Sequence, residues 1–253
     1  MKNLTAVILF LLFLTAFRLP PERTTVYLIG DSTISVKEIK AYPETGWGMP
    51  FAHFFDSSVV VDNRAKNGRS TRTFLEEGLW KPVVAGLKEG DYVFIQFGHN
   101  DEVETKKSFT TQQQFTDNLT RYITETRSKG AFPVLLTPAA RRRFDTLGRI
   151  QGSHDVYAAL VREVAQKNKV PLIDLDTKSQ QLIQSFGVNG SKLLFNHLQP
   201  GEHPNYPRGL ADDTHFSELG ARKMAQLVLA AVKDLQLPLA KHIYQPPSKK
   251  YRQ

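Results

Sequence analysis

Four short blocks of this chain hold residue types that can together carry out acyl transfer. Hydrolysis of an ester by a hydroxyl nucleophile needs that hydroxyl, a base beside it, a group to orient the base, and N–H donors for the charge that develops on the carbonyl oxygen. Ser32, in Gly30-Asp31-Ser32, offers a hydroxyl. His215, in Asp212-Asp213-Thr214-His215, offers a base. A histidine three residues after an aspartate can have one ring nitrogen held by the carboxylate while the other faces the serine. Asp212 has that spacing, with Asp213 as the fallback. Asn100, in Gly98-His99-Asn100-Asp101, can donate a side-chain N–H to an oxyanion, and Asn67-Gly68-Arg69-Ser70 can offer the backbone N–H of Gly68. The N–H of Ser32 makes a third donor. Each block alone has a plainer explanation: a helix N-cap serine, a solvated Asp-x-x-His turn, or glycine and asparagine serving turns for backbone reasons. The base must be the neutral imidazole, so activity is expected to fall in acid.

The elements around these blocks give them a common place. Residues 24–29 form a short apolar run that stops at Gly30 and reads as a buried strand entering a tight turn. Runs at 58–62, 91–97, 131–137 and 170–175 predict four more strands. Between them, Phe115, Leu119, Tyr122 and Ile123 recur at helical spacing after a Thr110–Gln113 capping pattern, and Tyr157, Leu160, Val161 and Val164 do the same. A last stripe, Ala221, Met224, Ala225, Val228, Val232 and Leu235, follows Ser217 as its N-cap and closes before Pro238. Alternating strands and helices imply an α/β fold with a parallel sheet covered on both faces, in which ligands bind at the carboxyl ends of the strands. Gly30-Asp31-Ser32, Gly98–Asp101 and Thr137-Pro138 then share one edge.

The order of the blocks, after the first three strands and before the last helix, resembles the SGNH (GDSL-type) hydrolase superfamily. The matching segments are Gly30-Asp31-Ser32, Gly68, Gly98-His99-Asn100-Asp101 and Asp212-Asp213-Thr214-His215. The resemblance covers residues 24 to about 236. It implies a three-layer α/β/α sandwich with a five-stranded parallel sheet, flavodoxin-like. It further implies Ser32 as nucleophile and first oxyanion donor, Gly68 and Asn100 as the other donors, His215 as base and Asp212 as its partner. An α/β-hydrolase elbow fits poorly, because Ile34 stands where G-x-S-x-G needs its second glycine, and no G-x-G-x-x-G follows the first strand.

Within that superfamily the chain is similar to the rhamnogalacturonan acetylesterase-like carbohydrate esterases. Residues 29–33, Gly46-Trp47-Gly48, Asn67–Ser70, Phe97–Asp101, Thr137-Pro138 with its arginines, and Asp212–Phe216 carry the likeness. It implies a serine esterase that removes acetyl groups from plant cell-wall polysaccharide, pectic rhamnogalacturonan first, or from acetylxylan or small acetyl-sugars. A lipolytic esterase or thioesterase on the same fold is a further alternative, and the intact Ser32, Asp212 and His215 argue against a non-catalytic carbohydrate-binding protein. A small acyl group also agrees with the lack of a long apolar insertion near the blocks. Trp47 is a candidate to stack on a sugar ring, and Arg141, Arg142 or Arg143 to grip a uronate carboxylate bidentately. No cofactor is expected. No metal is expected either, since His197 and His203, in a proline-rich stretch read as a long irregular loop (196–209), match no strong zinc spacing.

The ends of the chain differ from its middle. Lys2 and the 14-residue apolar run 4–17 fit a signal peptide over residues 1–18, or an uncleaved anchor, and so a secreted or periplasmic protein. With no cysteine, a large core rather than disulfides must hold the fold there. Net charge is +8, or +6 once Lys2 and Arg18 leave with residues 1–18. A basic surface can attract nucleic acid, anionic lipid or acidic polysaccharide. No nucleic-acid motif accompanies it, so an acetylated polysaccharide or oligosaccharide is the expected partner, with no membrane partner beyond the possible anchor. Residues 242–253 read as a basic, proline-containing tail that is poorly ordered.

Overall fold

In the computed structural model, which describes residues 23–245, β1 (Thr24–Gly30), β2 (Val59–Asn63), β3 (Tyr92–Gln96), β4 (Phe132–Leu136) and β5 (Leu172–Ile173) form one sheet. Its order is β2-β1-β3-β4-β5 and every neighbouring pair is parallel. This α/β order places the topological switch point between β1 and β3, where open sheets of this kind bind ligands. β5 is only two residues long. Pro171 has no N–H for the ladder, and Asp174 already caps the next helix by accepting from Thr177 N.

Alternate residues of the central strands serve two cores. Tyr27, Ile29, Val93, Ile95 and Leu135 face one side. There they meet α2 (Thr71–Glu76), α3 (Trp80–Gly86), α4 (Gln112–Arg127) and α5 (Asp155–Asn168). Val26, Leu28, Phe94, Val134 and Leu136 face the other, against α1 (Gly48–Phe51), α6 (Leu175–Gly190) and α7 (Glu218–Asp234). The helical stripes at 115–123 and 221–232 are the buried faces of α4 and α7. Ser217 caps α7 through Gly220 N, whereas α4 is capped by Thr111 with Gln114, one residue later than the sequence suggests.

Two segments differ from expectation. The irregular loop expected over 196–209 is confined to residues 199–209 and joins two strands. β6 (Phe195–Leu198) and β7 (Leu210–Phe216) pair antiparallel, so the Asp-Asp-Thr-His block lies on a strand. Aspartates have low strand propensity, and here pairing with β6 and burial of Phe216 against Phe195 override it. The packing also continues past 236. Leu237, Leu239 and Ile243 are buried, Ile243 bridges to Phe55, and His242 Nδ1 lies 2.7 Å from Ser58 Oγ. Residues 1–18 and the tail from 246 lie outside the described residues. Among the described residues no helix is long and apolar enough to cross a membrane.

Candidate active site

β1 delivers Ser32 to the sheet edge through a turn that only glycine fits. A Cβ on Gly30 would sit 2.3 Å from the Gln96 carbonyl of β3. The turn is held from within: Asp31 Oδ1 accepts from Thr33 N at 2.9 Å and from Thr33 Oγ1 at 2.8 Å. Beneath it, Gln96 Nε2 donates to Thr33 Oγ1 at 2.7 Å, and Trp47 Nε1 donates to Gln96 Oε1 at 2.9 Å. All of these groups are buried.

The loops after the first three strands are laced to one another. Lys66 N donates to Gly30 O at 3.0 Å, which ties the second loop to the end of β1. Gly68 lies exposed at the tip of that loop with φ +76°, a left-handed conformation that favours glycine. Asn100 Nδ2 donates to Arg69 O at 3.1 Å, which fixes the amide plane and leaves its second N–H for a ligand. Asp101 ties the third loop to the start of α2, accepting from Thr71 N at 2.9 Å and Thr71 Oγ1 at 2.6 Å. Burial outweighs the hydrogen bonds from Thr71 and pushes the Asp101 carboxyl up to about 7.

β7 brings His215 from outside the central sheet. Ser32 Oγ lies 2.9 Å from His215 Nε2, and His215 Nδ1 lies 2.7 Å from Asp212 Oδ2. Asp212 Oδ1 also accepts from Thr214 N at 2.7 Å and His215 N at 2.9 Å. Partial burial alone would raise the Asp212 carboxyl, but these bonds from His215 and Thr214 outweigh it and hold the group at about 2. Asp213 points elsewhere: its Oδ1 meets Arg142 Nη1 at 2.9 Å and His197 Nε2 at 2.7 Å. The line Ser32–His215–Asp212 can pass a proton from the hydroxyl to the imidazole while the carboxylate steadies the imidazolium.

Residues 28–223 match the GDSL-like lipase/acylhydrolase family. The chain belongs to that family. This acylhydrolase is a carboxylic ester hydrolase, and it is 43% identical to rhamnogalacturonan acetylesterase RhgT of Bacillus subtilis, over 89% of its own length and 97% of the relative's. A probable rhamnogalacturonan acetylesterase of the same organism, YesY, is 34% identical over 86% of this chain and 96% of that protein. Among solved structures, the B. subtilis protein YxiM superposes with a TM-score of 0.74 at 26% identity, covering 87% of this chain and 58% of that one.

Beside Asp213 and Thr214 the acylhydrolase has a cleft of about 1180 Å³, lined in part by Glu102, Arg141, Arg142, Arg143 and His154. The three arginines are not equivalent. Arg141 is paired with Glu102 Oε1 at 3.1 Å and donates to His99 O. Arg142 is committed to Asp213, Ser191 Oγ and the Val188 carbonyl. Arg143 is exposed, and its guanidinium has no hydrogen-bond or ion-pair partner among the described residues.

Trp47 corrects the sequence reading. It is fully buried, packs edge-on against Phe51 and spends its N–H on Gln96, so it has no face to offer a sugar. Its place is under the Gly30–Thr33 turn. Two further groups escaped the sequence reading. Gln96 looks like one more residue of an apolar strand. Lys37 carries no mark in the sequence, yet its side chain has no exposure and its Nζ reaches the Ser32 carbonyl. Nothing local marks either residue, because both are defined by contacts from elsewhere in the chain.

Proposed function

We propose that the acylhydrolase removes O-acetyl groups from plant cell-wall polysaccharide, with pectic rhamnogalacturonan as its natural substrate, and that it works outside the cytoplasm. The observation that carries the chemistry is the hydrogen-bonded line from Ser32 through His215 to Asp212. Ser32 Oγ attacks the acetyl carbonyl as its proton passes to His215 Nε2. The N–H groups of Ser32 and Gly68 and the amide of Asn100 receive the oxyanion. Collapse of the tetrahedral intermediate expels the sugar oxygen, which takes the proton from His215. Water, deprotonated by the same imidazole, then attacks the acetyl-serine, and acetate leaves.

The substrate rests on separate grounds. Two curated relatives that align over nearly their whole length are named for rhamnogalacturonan. The cleft beside the proposed triad is lined by Thr111, Gln113, Ser153 and the exposed Arg143, groups suited to hydroxyls and a carboxylate. An extracytoplasmic site rests on Lys2 and the apolar run after it. The deciding experiment compares acetate release from acetylated rhamnogalacturonan, acetylated xylan and medium-chain nitrophenyl esters, with Ser32→Ala as control. The expected result is fastest release from the pectic polymer and none from the variant. Preference for xylan or for the longer acyl chains would overturn the substrate, and wild-type turnover by Ser32→Ala would overturn the mechanism.

A further inference from the structure

Lys37 is the least accessible cation described at the sheet edge. Its side chain has no solvent exposure, and its three N–H donors find three acceptors. These are the backbone carbonyl of Ser32, Asn67 Oδ1 at 3.0 Å, and Glu44 Oε1 at 2.6 Å. Glu44 is itself only 14% exposed. Ser35 Oγ donates to the same Asn67 oxygen. The ammonium therefore bridges the residue proposed as nucleophile and the residue before Gly68, two of the loops whose N–H groups must converge on one oxyanion. The segment that supplies Glu44 is itself anchored: Asn205 Nδ2 donates to Ile39 O at 2.8 Å and to Tyr42 O at 2.9 Å, and Tyr206 OH donates to Ala41 O at 3.0 Å.

A buried ion pair is a poor device for stability alone. Taking both charges out of water costs several kcal/mol, and a well-packed apolar pair of similar volume is often as stable or more so. What an apolar pair cannot do is hold a carbonyl and an amide oxygen from two different loops at one point. Burial lowers the pKa of the Lys37 ammonium, and Glu44 is the main charge opposing that shift.

We propose that Lys37 is a positioning residue: held by Glu44, it clamps the Ser32 carbonyl to the Asn67 side chain and so fixes the N–H groups of Ser32 and Gly68 as one oxyanion cradle. This rests on the reading of Ser32 as nucleophile. A loosened cradle binds the ground-state ester nearly as well as before and the transition state much worse. The loss therefore falls on kcat rather than KM.

The test uses the whole chain with 4-nitrophenyl acetate, measuring kcat, KM and Tm for Lys37→Met, Lys37→Met/Glu44→Gln and Ser32→Ala. Lys37→Met leaves Glu44 buried without its partner and should lower Tm. The double variant removes that stray charge and should recover Tm. Its kcat should still stand about 10²-fold below wild type, the scale of loss for a small displacement of catalytic geometry, with KM changed less than about threefold. A double variant with native Tm and near-native kcat overturns the proposal, as does a kcat that recovers in step with Tm. Full activity in Ser32→Ala would instead remove the nucleophile reading on which the proposal stands, and that control separates the two failures.

Discussion

Replacing Asp212 by asparagine tests the site most sharply, because the geometry predicts two effects of different size. Asp212 receives three hydrogen bonds, two backbone N–H groups on Oδ1 and the His215 ring on Oδ2. An amide has only one acceptor oxygen. If that oxygen keeps the two backbone donors, the NH₂ group faces His215 Nδ1, which must then accept. The ring proton moves to Nε2 and points at Ser32 Oγ, where it can no longer take the serine proton. The expected loss in kcat is about 10³- to 10⁴-fold, the scale seen when a triad histidine is held in the wrong tautomer. The stability effect is smaller. Holding the carboxyl at about 2 rather than 3.8 is worth about 2 kcal/mol. Because the folded value lies below the unfolded one, that stability is fully present above pH about 4 and is lost as pH falls through about 2. Ester hydrolysis and guanidinium unfolding at neutral pH measure the two effects. Asp213→Asn is the control, since Asp213 is half exposed and pairs with Arg142 and His197 rather than His215. Equal damage to kcat by the two substitutions would refute the reasoning.

Three other outcomes follow from the same geometry. Asn100→Ala should cut kcat on the order of 10²- to 10³-fold with little change in KM, and a change confined to KM would count against an oxyanion role. Arg143→Gln should slow acetate release from acidic acetylated oligomers, more so at low salt, and leave a small neutral acetate ester untouched. The same effect of the substitution on both substrates, or none on either, would mark Arg143 as merely solvated. Asp101, raised to about 7, contributes stability that is fully present below pH about 4 and lost as pH rises through about 7, on the order of 4 kcal/mol in all. Unfolding midpoints at about pH 5 and about pH 8 should therefore converge for Asp101→Asn and diverge for the wild type, and parallel curves would contradict this assignment.

Much of this was legible in the order of the residues. Apolar runs and helical stripes place β1 to β4, α4, α5 and α7 near their observed positions, because the central strands are buried on both faces and the helices on one, and that burial is written in the apolar residues. The blocks holding Ser32, Gly68, Asn100 and His215 were visible for the same reason: each sits where a strand ends or before a capped helix. The hairpin β6–β7 was not visible, since its pairing lies between segments with no strand propensity. The spacing of Asp212 and Asp213 favoured the first without deciding it; the structure does, because the β6–β7 register is irregular here and Asp212 Oδ1 accepts from Thr214 N and His215 N, which brings its other oxygen to the His215 ring, while Asp213 meets Arg142 and His197. The three arginines looked alike as a sequence, yet ion pairs with Glu102 and Asp213 from distant elements leave only Arg143 of the three without a partner among the described residues. Trp47 moved the other way, from sugar platform to buried prop, and Lys37, which no local pattern singles out, is buried with its Nζ on the Ser32 carbonyl. Local sequence determines which elements form and which chemical groups they carry. Which of those groups are already spent on a neighbour is a property of contacts between segments far apart in the chain, and only the tertiary structure settles it.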